Sequence, residues 1–599
     1  MNNIALEHYK ERLSALDGEL KGVKRVTSRL YLVRFISFLL FIAMFVLLFA
    51  GEYTMIYIVF TLLFLALFVA VAIYDLRMVE RRRELENSIK FNGDEIKTLH
   101  HEFSFREDGV TFSGLNPQLS GDFDIFGAGS LYQYLNRCVT IRGRSRFAAS
   151  LVACDVNSNI ILERTEAIKE LSSKVDFIEK FATVGCDIKE SGEEVDNLLK
   201  WLETDNSSEI FINVTRYLFP LITLSILLLS ILGYTSYSML SLTFLGSLIV
   251  LYANSKKLNK AHALLGRGAK ILDKYSDLIK VIENEDFCSK LLSVQKRKLS
   301  TEKESASSSI RTLKSILDRF DYRYNTFVSV VLNGYLLFDY HTYMSLLKWK
   351  REHQEVLERW FDAVTQIDSL LGLGVYAYNC SNRTTYADVA DVDFKISAQN
   401  MRHPLIPSDA SVSNSIEISG RPAVVIITGA NMAGKSTFLR TVATNLILGM
   451  NGAPVCSESF SFSPIKILSS IKIQDSLMNR ESYFYAELLR LSDILEQIND
   501  EPQSMIILDE ILRGTNTKDK QQGSIGLLRK IIENRGVAII ATHDLTVGKM
   551  EDEYPDYVSN YCFEVEIDGD LLSFDYKLKG GISSKLNASL LMRRMGIID

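Results

Sequence analysis

The stretch AVVIITGANMAGKST at residues 423–437 decides the fold of the C-terminal part of this chain. Its first half is a β-branched apolar run that predicts a buried strand, and a helical pattern begins directly after it at Phe438. Between the two lies the spacing GxxxxGK[ST], in which glycines let the backbone wrap around phosphate groups. The N–H groups at the start of the following helix can then point at those phosphates. This order of strand, loop and helix predicts a nucleotide-binding site.

Each part of this loop has a predicted role toward ATP and Mg²⁺. Lys435 is expected to reach the β- and γ-phosphates, and the hydroxyl of Ser436 is expected to bind magnesium. The predicted nucleotide-contacting residues of the loop are Gly429, Ala430, Asn431, Met432, Ala433, Gly434, Lys435, Ser436 and Thr437.

Two further apolar runs, at residues 504–508 and 536–542, end in polar side chains. Asp509 follows the first run and is predicted to hold the metal, while Glu510 is predicted to orient the attacking water. His543 follows the second run, where it can sense the γ-phosphate. Ligands bind at the carboxyl ends of parallel strands, and phosphoryl transfer needs a phosphate cradle, a metal and a group that positions water. We therefore predict Glu510 and His543 as catalytic residues.

The sequences of these segments resemble those of the MutS family. Residues 428–440 are similar to that family's phosphate loop, with Ala430 and Ala433 at positions that are usually Pro and Gly. Residues 508–519 are similar to its DEIGRGT segment, with Leu512 at a usual glycine and Asn516 at a usual Ser or Thr. Three shorter matches are ATH at 541–543, RHP at 402–404 and ESYFYAE at 481–487, which has Ser482 at the family's functional serine.

The resemblance implies an α/β P-loop ATPase domain of ABC type at the C-terminus, preceded by a long α-helical lever region. It also implies a homodimer, or a dimer with a paralogue, in which two subunits enclose two nucleotides. The segment 513–519 would then lie against ATP bound by the other subunit. Ser482, Asn516, Thr517 and Asp519 are the further nucleotide-contacting residues that the resemblance implies.

Two apolar hairpins predict four transmembrane helices. Both arms of the first hairpin, at 31–74, reach the roughly 20 apolar residues that a bilayer core requires. The second hairpin, at 210–256, is more marginal because its first arm contains Arg216 and Pro220. A buried helical hairpin of a soluble core is the alternative interpretation of each.

Basic residues flank both hairpins, whereas their tight turns contain no Lys or Arg. By the positive-inside rule, the N-terminus, lever and ATPase domain are cytoplasmic. The sequence thus predicts a multi-pass membrane protein of the bacterial inner-membrane type, with the lipid bilayer as a partner.

These features divide the chain into five predicted regions. They are an N-terminal helix with the first hairpin (1–95), a connector with the start of the lever (96–209), the second hairpin (210–256), the helical lever (257–400) and the ATPase domain (401–599). Within the connector, Phe103–Phe112 has the pattern of a short strand broken by Asp108-Gly109, and Asn116-Pro117 and Gly121 mark a loop.

Two features bear on DNA as a partner. The basic stretch 296–314 is either a DNA-facing helix or an ordinary solvated helix face, which its interleaved acids favour. Phe177-Ile-Glu179 matches the Phe-x-Glu pattern of the family's mismatch-reading wedge, but it lies in a predicted lever helix. The net charge of −6 excludes a protein coated in basic surface. DNA binding is therefore expected to be non-specific if it occurs.

The sequence favours a membrane-anchored ATPase whose nucleotide cycle opens and closes helical levers. An ATP-driven transporter or a membrane-remodelling ATPase that does not act on DNA is the alternative. A membrane scaffold with an inactive nucleotide site is disfavoured, because Lys435, Ser436, Asp509, Glu510 and His543 are all present. The seven cysteines form no CxxC pair, which indicates reduced thiols in a cytosolic environment.

Overall fold

The computed structural model of the 599-residue chain describes residues 4–50, 54–186, 193–203, 210–265, 269–300, 304–472, 483–501, 503–568 and 571–583. Two compact units are present, and each is built from segments that are distant in the sequence. The first contains Met1–Arg137, Ser145–Val175 and Leu370–Asp599, and the second contains Cys138–Arg144 and Asp176–Ser369. The five sequence regions remain a prediction.

Helices make up the described chain up to residue 379. They are α1 (Ile4–Ala50), α2 (Thr54–Leu99), α3 (Pro117–Asp122), α4 (Leu131–Leu135), α5 (Ile141–Ala153), α6 (Ser158–Ser172), α7 (Val175–Gly185), α8 (Glu193–Glu203), α9 (Ile210–Ile231), α10 (Met239–Ala253), α11 (Ser255–Leu265), α12 (Ala269–Glu283), α13 (Lys290–Lys298), α14 (Ala306–Phe320), α15 (Thr326–Leu336), α16 (Phe338–His353) and α17 (Leu357–Asn379). Short 3₁₀ turns occupy Val110–Leu115 and Asp321–Tyr324.

Strands and helices alternate in the remainder. The strands are β1 (Asp388–Val389), β2 (Lys395–Met401), β3 (Asn414–Ser419), β4 (Ala423–Gly429), β5 (Ser459–Phe462), β6 (Lys466–Ser470), β7 (Ser504–Asp509), β8 (Val537–Thr542), β9 (Val558–Asp568) and β10 (Leu571–Gly580). The helices are α18 (Lys435–Met450), α19 (Tyr483–Asp500), α20 (Thr517–Glu533) and α21 (Met550–Glu553), with a 3₁₀ turn at Val547–Lys549.

The first two helices are continuous over 47 and 46 residues. The polar N-terminal segment and the first apolar arm together form α1, and the second arm continues into the charged end of α2. The polar ends of the two helices contact each other through Leu16, Leu20 and Leu85. The hairpin therefore has a packed polar base and an apolar part whose side chains are largely exposed.

Three helices, α1, α2 and α9, are long and apolar enough to cross a membrane by length and composition. A fourth span results if α10 and α11, which meet at a bend of 62°, count as one. Only 6%, 11% and 17% of the apolar windows of the three long helices are buried. Packing within the described chain thus leaves these apolar surfaces uncovered.

The strand that we expected over Phe103–Phe112 is wrong. This stretch forms turns and then the 3₁₀ turn Val110–Leu115. At its centre the Asp108 carboxylate accepts a hydrogen bond from the Val110 N–H at 3.1 Å, and Gly109 adopts a φ of 68°. Such an Asp-Gly turn interrupts an extended chain. The loop expected at Asn116-Pro117 is the start of α3, where Asn116 caps the helix through the Leu119 N–H.

The second compact unit is helical, as the pattern of residues 258–371 predicts. Its core includes the indole of Trp349, whose Nε1–H donates to the Ser309 carbonyl at 2.9 Å. The buried ammonium of Lys350 donates to the Trp201 carbonyl at 2.8 Å. These bonds satisfy polar groups that would otherwise be costly to bury.

The C-terminal strands form two sheets. The larger one has the order β10-β9-β4-β8-β7-β6, in which β4 pairs in parallel with β8 and β9, and β8 pairs in parallel with β7. The smaller one has the order β1-β5-β2-β3. Every residue of β4, β7 and β8 is buried. The carboxyl ends of these three strands therefore meet at one edge, as their sequences predict.

A buried carboxylate fastens the base of the first hairpin within the first unit. Glu95 of α2 is fully buried and binds Arg137 through two bonds of 3.0 and 2.9 Å and Arg106 through one of 2.8 Å. It also accepts from the Asn379 amide at 3.0 Å, and Asn379 in turn accepts from the Tyr9 hydroxyl at 3.0 Å. Burial raises the pKa of Glu95, but the two guanidinium groups outweigh it and hold the pKa at about 2.

We predict that Glu95→Ala lowers the free energy of unfolding by about 3–5 kcal/mol, because two buried guanidinium groups lose their counterion. Glu86→Ala is the matched control on the same helix, since Glu86 forms an exposed ion pair with Arg82 worth less than about 1 kcal/mol. Denaturation in detergent followed by circular dichroism measures both variants. Equal decreases in the free energy of unfolding for Glu95→Ala and Glu86→Ala would contradict the role of Glu95.

The same cluster predicts a loss of stability in acid. A carboxylate whose folded-state pKa is depressed contributes stability above its unfolded pKa, which is about 4.3 for Glu. That contribution disappears as pH falls from there toward the folded-state value of about 2. The stability difference between the wild type and Glu95→Ala should therefore shrink over this interval. A difference independent of pH would contradict the assignment.

Candidate nucleotide-binding site

The loop between β4 and α18 has the backbone that its glycines predict. Gly429 and Gly434 have φ values of 152° and 107°. A Cβ at Gly429 would lie 2.7 Å from the Phe563 carbonyl oxygen, and one at Gly434 would lie 3.2 Å from a ring carbon of Tyr576. Met432 has a φ of 69°, which is costly for a residue with a side chain. The loop therefore combines two necessary glycines with one strained position.

Ala430 and Ala433 fit this loop. They are 3% and 1% exposed, and neither belongs to the described residues with a positive φ. A methyl group at these positions is therefore compatible with the loop conformation.

The ammonium group of Lys435 lies inside the loop. It donates to the carbonyl oxygens of Gly429 at 2.7 Å and Ala430 at 2.9 Å. Burial lowers the pKa of Lys435, whereas the nearby carboxylates of Glu510 and Asp509 raise it. Lys435 is the first residue of α18, and it thus places its ammonium group inside the loop.

Ser436 and Asp509 meet at the edge of the sheet. The Ser436 hydroxyl donates to Oδ2 of Asp509 at 2.5 Å. Asp509 is 6% exposed, and its other oxygen, Oδ1, is buried without a hydrogen-bond partner among the described residues. Burial raises the pKa of Asp509, while the bond from Ser436 lowers it. A hydroxyl beside an unpartnered carboxylate oxygen is a ligand set that suits a hard divalent cation.

Glu510 lies beside both His543 and Arg513. Its Oε1 is 3.7 Å from Nδ1 of His543, and its Oε2 is 3.4 Å from Nε of Arg513. The Glu510 N–H donates to the Ala541 carbonyl at 2.8 Å, which ties the end of β7 to the end of β8. The two residues predicted as catalytic are therefore brought together, with Arg513 as a third member.

A buried carboxylate supports the turn that follows Glu510. Leu512 has a φ of 58°, which explains why a glycine is usual at this position. Glu487 of α19 accepts from the backbone N–H groups of Leu512 at 2.5 Å and Arg513 at 3.2 Å. Burial raises the pKa of Glu487, and these two bonds lower it. Sequence reasoning did not assign a role to Glu487, although this residue is the last of the MutS-like stretch ESYFYAE at 481–487.

A cavity of about 500 Å³ opens beside the loop. One wall comes from the loop and Glu510, and the opposite wall comes from the segment after β2, which includes His403 and Ile406. Phe563 and Tyr576 close it from the side of β9 and β10. The size and mixed polarity of this cavity suit a small organic ligand.

Sequence reasoning missed most of these wall residues. Tyr576 lies where the pairing of β10 with β9 shifts register, and it has a φ of 52°. The Asn414 amide holds it by donating to its carbonyl at 3.0 Å. His403 belongs to the RHP element at 402–404, which was the one sequence feature that pointed to a wall residue. Burial and the nearby Arg440 lower the pKa of His403 to about 4, so its ring is neutral at pH 7.

The remaining predicted residues lie elsewhere. Ser482 is outside the described residues. Among the described residues, Asn516, Thr517 and Asp519 do not line the cavity. They form the first turn of α20, where the Asn516 side chain caps the helix by accepting from the Asp519 N–H at 2.9 Å. Asn516 also donates to the Asp519 carboxylate at 2.7 Å. Asparagine and serine are both good caps, so the departure at this position preserves the turn.

The sequence profile of MutS domain V matches residues 425–590. This chain contains a MutS domain V. The match covers β4, the loop and the strands that carry Asp509 and His543. It supports the resemblance to the MutS family on which the expected roles depend.

Curated relatives agree with this finding. The chain is 30% identical over 267 residues to MutS protein homolog 4 of Mus musculus, covering 42% of this chain and 27% of that protein. It is 32% identical over 207 residues to DNA mismatch repair protein MutS of Ehrlichia chaffeensis, covering 34% and 25%. DNA mismatch repair protein MutS of Methanosarcina mazei is 29% identical over 268 residues, covering 43% and 29%. The chain thus spans about a quarter of the length of these relatives.

We predict that Asn516→Ala destabilises the MutS domain V by about 1 kcal/mol, because the first turn of α20 loses its cap. Asn516→Ser is the matched control and should retain nearly all of the stability, since serine supplies an equivalent acceptor. Thermal denaturation of the two full-length variants measures the difference. If Ala and Ser were equally destabilising, the role of Asn516 would not be capping.

Proposed function

We propose that the chain binds ATP with Mg²⁺ between the loop and the ends of β4, β7 and β8, and hydrolyses it. One observation carries this proposal. The buried Oδ1 of Asp509 has no hydrogen-bond partner among the described residues, and it lies beside the Ser436 hydroxyl at the first turn of α18. Ser436 and Asp509 would hold Mg²⁺, which supplies charge neutralisation at the phosphates.

The other residues supply the remaining parts of a hydrolytic site. Lys435 now donates to two loop carbonyls, and it would exchange those bonds for phosphate oxygens when ATP binds. Glu510 would accept a hydrogen bond from the attacking water and orient it. Its contacts with His543 and Arg513 fix the carboxylate at this edge. The adjoining cavity, with neutral His403 and the ring of Tyr576, is suited to the nucleoside.

We predict that Glu510→Gln retains ATP binding and slows turnover by about 10²–10⁴-fold, because the amide is a poor acceptor for the proton of water. Phosphate release and binding of a fluorescent ATP analogue measure the two steps separately. Glu533→Gln is the matched control, since Glu533 is an exposed residue of α20. Undiminished hydrolysis by Glu510→Gln would refute the role of Glu510.

We further propose that two chains, identical or paralogous, enclose the nucleotides and that hydrolysis moves the helical levers. Contacts within the first unit support a mechanical connection between the MutS domain V and the first hairpin. Asp124 pairs with Arg440 of α18 at 2.8 Å and with Lys472 at 2.7 Å. Asp122 binds Ser469 at 2.8 Å and Arg490 of α19. These carboxylates follow α2 in the chain, so a movement of α18 or α19 acts on the segment that leads to the hairpin.

We propose that the apolar helices anchor the chain in a membrane with several spans, as the flanking charges indicate. The uncovered apolar surfaces of α1, α2 and α9 support this proposal. Arg34, the charge within the first arm, pairs with Asp75 of α2 at 2.9 Å. Pairing lowers the cost of placing a charged side chain close to lipid. The bilayer thus covers surface that the chain itself leaves exposed.

DNA is a weaker candidate partner, although two of the relatives above are named DNA mismatch repair proteins. Phe177 is buried and its ring lies 5.3 Å from that of Phe287, so it cannot act as a wedge without leaving the core. The basic stretch of the second unit pairs with acids, which offset its charge. These pairs are Lys296–Asp286, Lys298–Asp362, Arg311–Asp277 and Lys314–Asp273.

We expect duplex and branched DNA to leave the ATPase rate of the chain in nanodiscs unchanged, because the paired basic side chains release few counterions on binding. The rate is measured with and without DNA at low and at physiological salt. Binding that weakens steeply with salt, together with stimulation of hydrolysis, would contradict this expectation and favour a DNA-acting ATPase.

A further inference from the structure

Helix α15 of the second unit has an apolar surface that the described chain does not cover. No Asp, Glu, Lys or Arg occurs between Arg323 and Asp339. Within this interval Phe327 is 79% exposed, and Val330, Val331 and Leu336 are between 41% and 47% exposed. Isolated apolar side chains are common on protein surfaces, but a charge-free helix that exposes several marks a binding surface.

This surface is continuous with that of the second apolar hairpin. Helix α15 packs against both α9 and α10. The ring of Phe244 in α10 lies 5.3 Å from the ring of Tyr335 and so close to Gly334 that a Cβ there would not fit. Next to this contact, Leu242 and Leu245 of α10 are more than half exposed. The three helices therefore form one apolar unit with a common uncovered surface.

The polar side chain of Asn333, near the C-terminal end of α15, is hydrogen-bonded within the chain. Asn333 is 2% exposed, and its amide donates to the Ser329 hydroxyl at 3.2 Å while its carbonyl oxygen accepts from the Asp339 N–H at 2.8 Å. The charges that bound the segment pair with each other, since Nε of Arg323 lies 2.7 Å from Oδ2 of Asp339. Internal satisfaction of polar groups is what a hydrocarbon environment requires, whereas water would not require it.

We propose that α15 inserts into the lipid acyl chains beside the second hairpin, so that the apolar unit consists of three helices. At about 1.5 Å per residue, its 11 residues span about 16 Å, roughly half of a hydrocarbon core of about 30 Å. The helix therefore enters one leaflet and does not cross the bilayer. This inference rests on the proposed membrane anchoring, and it adds a lipid-contacting element that hydropathy over long windows does not find.

Site-directed fluorescence quenching of the full-length chain in vesicles tests this proposal. The exposed Cys186 and Cys288 are first replaced by Ser. A bimane label is then attached at Val331→Cys or, in a second variant, at Val330→Cys. Vesicles of phosphatidylethanolamine and phosphatidylglycerol with brominated acyl chains report contact with lipid, and iodide in the buffer reports contact with water.

Two reference positions make the outcomes distinct. Leu63→Cys, on an exposed position of α2 in the first hairpin, reports whether the chain is membrane-anchored at all, and Thr312→Cys, on the exposed surface of α14, reports an aqueous position. We expect the ratio of bromolipid to iodide quenching at both α15 positions to match that at Leu63 and to exceed that at Thr312 several-fold.

A ratio at α15 that matches Thr312, with Leu63 quenched by lipid, would overturn the insertion of α15 and leave membrane anchoring intact. Absence of lipid quenching at Leu63 as well would refute the anchoring itself. Protection of α15 from both quenchers, together with disulfide formation between the same cysteines of two chains before labelling, would also overturn the proposal, because a second copy would then cover this surface.

Discussion

The parallel pairing of β4, β8 and β7 is the constraint on which the rest of the candidate site depends. Their register places Thr428 opposite Thr542 and Asp509 opposite Ala541. All three strands are buried over their whole length, and their register sets where their carboxyl ends lie relative to one another. The loop between β4 and α18, the Asp509 carboxylate and the Glu510–His543 pair are thereby brought to one edge. Apolar side chains of α19 and α20 complete the core below that edge.

The residues at this edge adopt costly backbone conformations. Met432, Glu510 and Leu512 all have a positive φ, although each has a Cβ. Such strain persists only where surrounding contacts determine it. For Leu512 those contacts are the two backbone bonds to Glu487, and for Glu510 they include the backbone bond to Ala541. The carboxylate of Glu487 thus connects α19 to the turn that follows β7.

Buried carboxylates also connect the first hairpin to the sheet. Glu95 binds groups from α17 and from the segment after α4, and Asp122 binds groups from β6 and α19. Removing Glu95 would leave the guanidinium groups of Arg137 and Arg106 without their buried counterion, which costs more than the pair contributes in its intact form. Charged contacts therefore connect the MutS domain V to the base of the hairpin and to the segment that follows it.

The sequence by itself determined the local features. It predicted the strand, loop and helix around Lys435, the acids after β7, His543 after β8, and the positions of the apolar stretches, because each depends on neighbouring residues. It could not predict that His403 and Tyr576, from distant parts of the chain, line the cavity beside the loop. It also could not predict that Glu487 supports the turn at Leu512. It also misassigned Phe103–Phe112, where an Asp-Gly turn outweighed an apolar pattern. The uncovered apolar surface that α15 shares with α9 and α10 depends on the packing of these helices. Only the tertiary structure decides such features, because they arise from contacts between residues that no local pattern brings together.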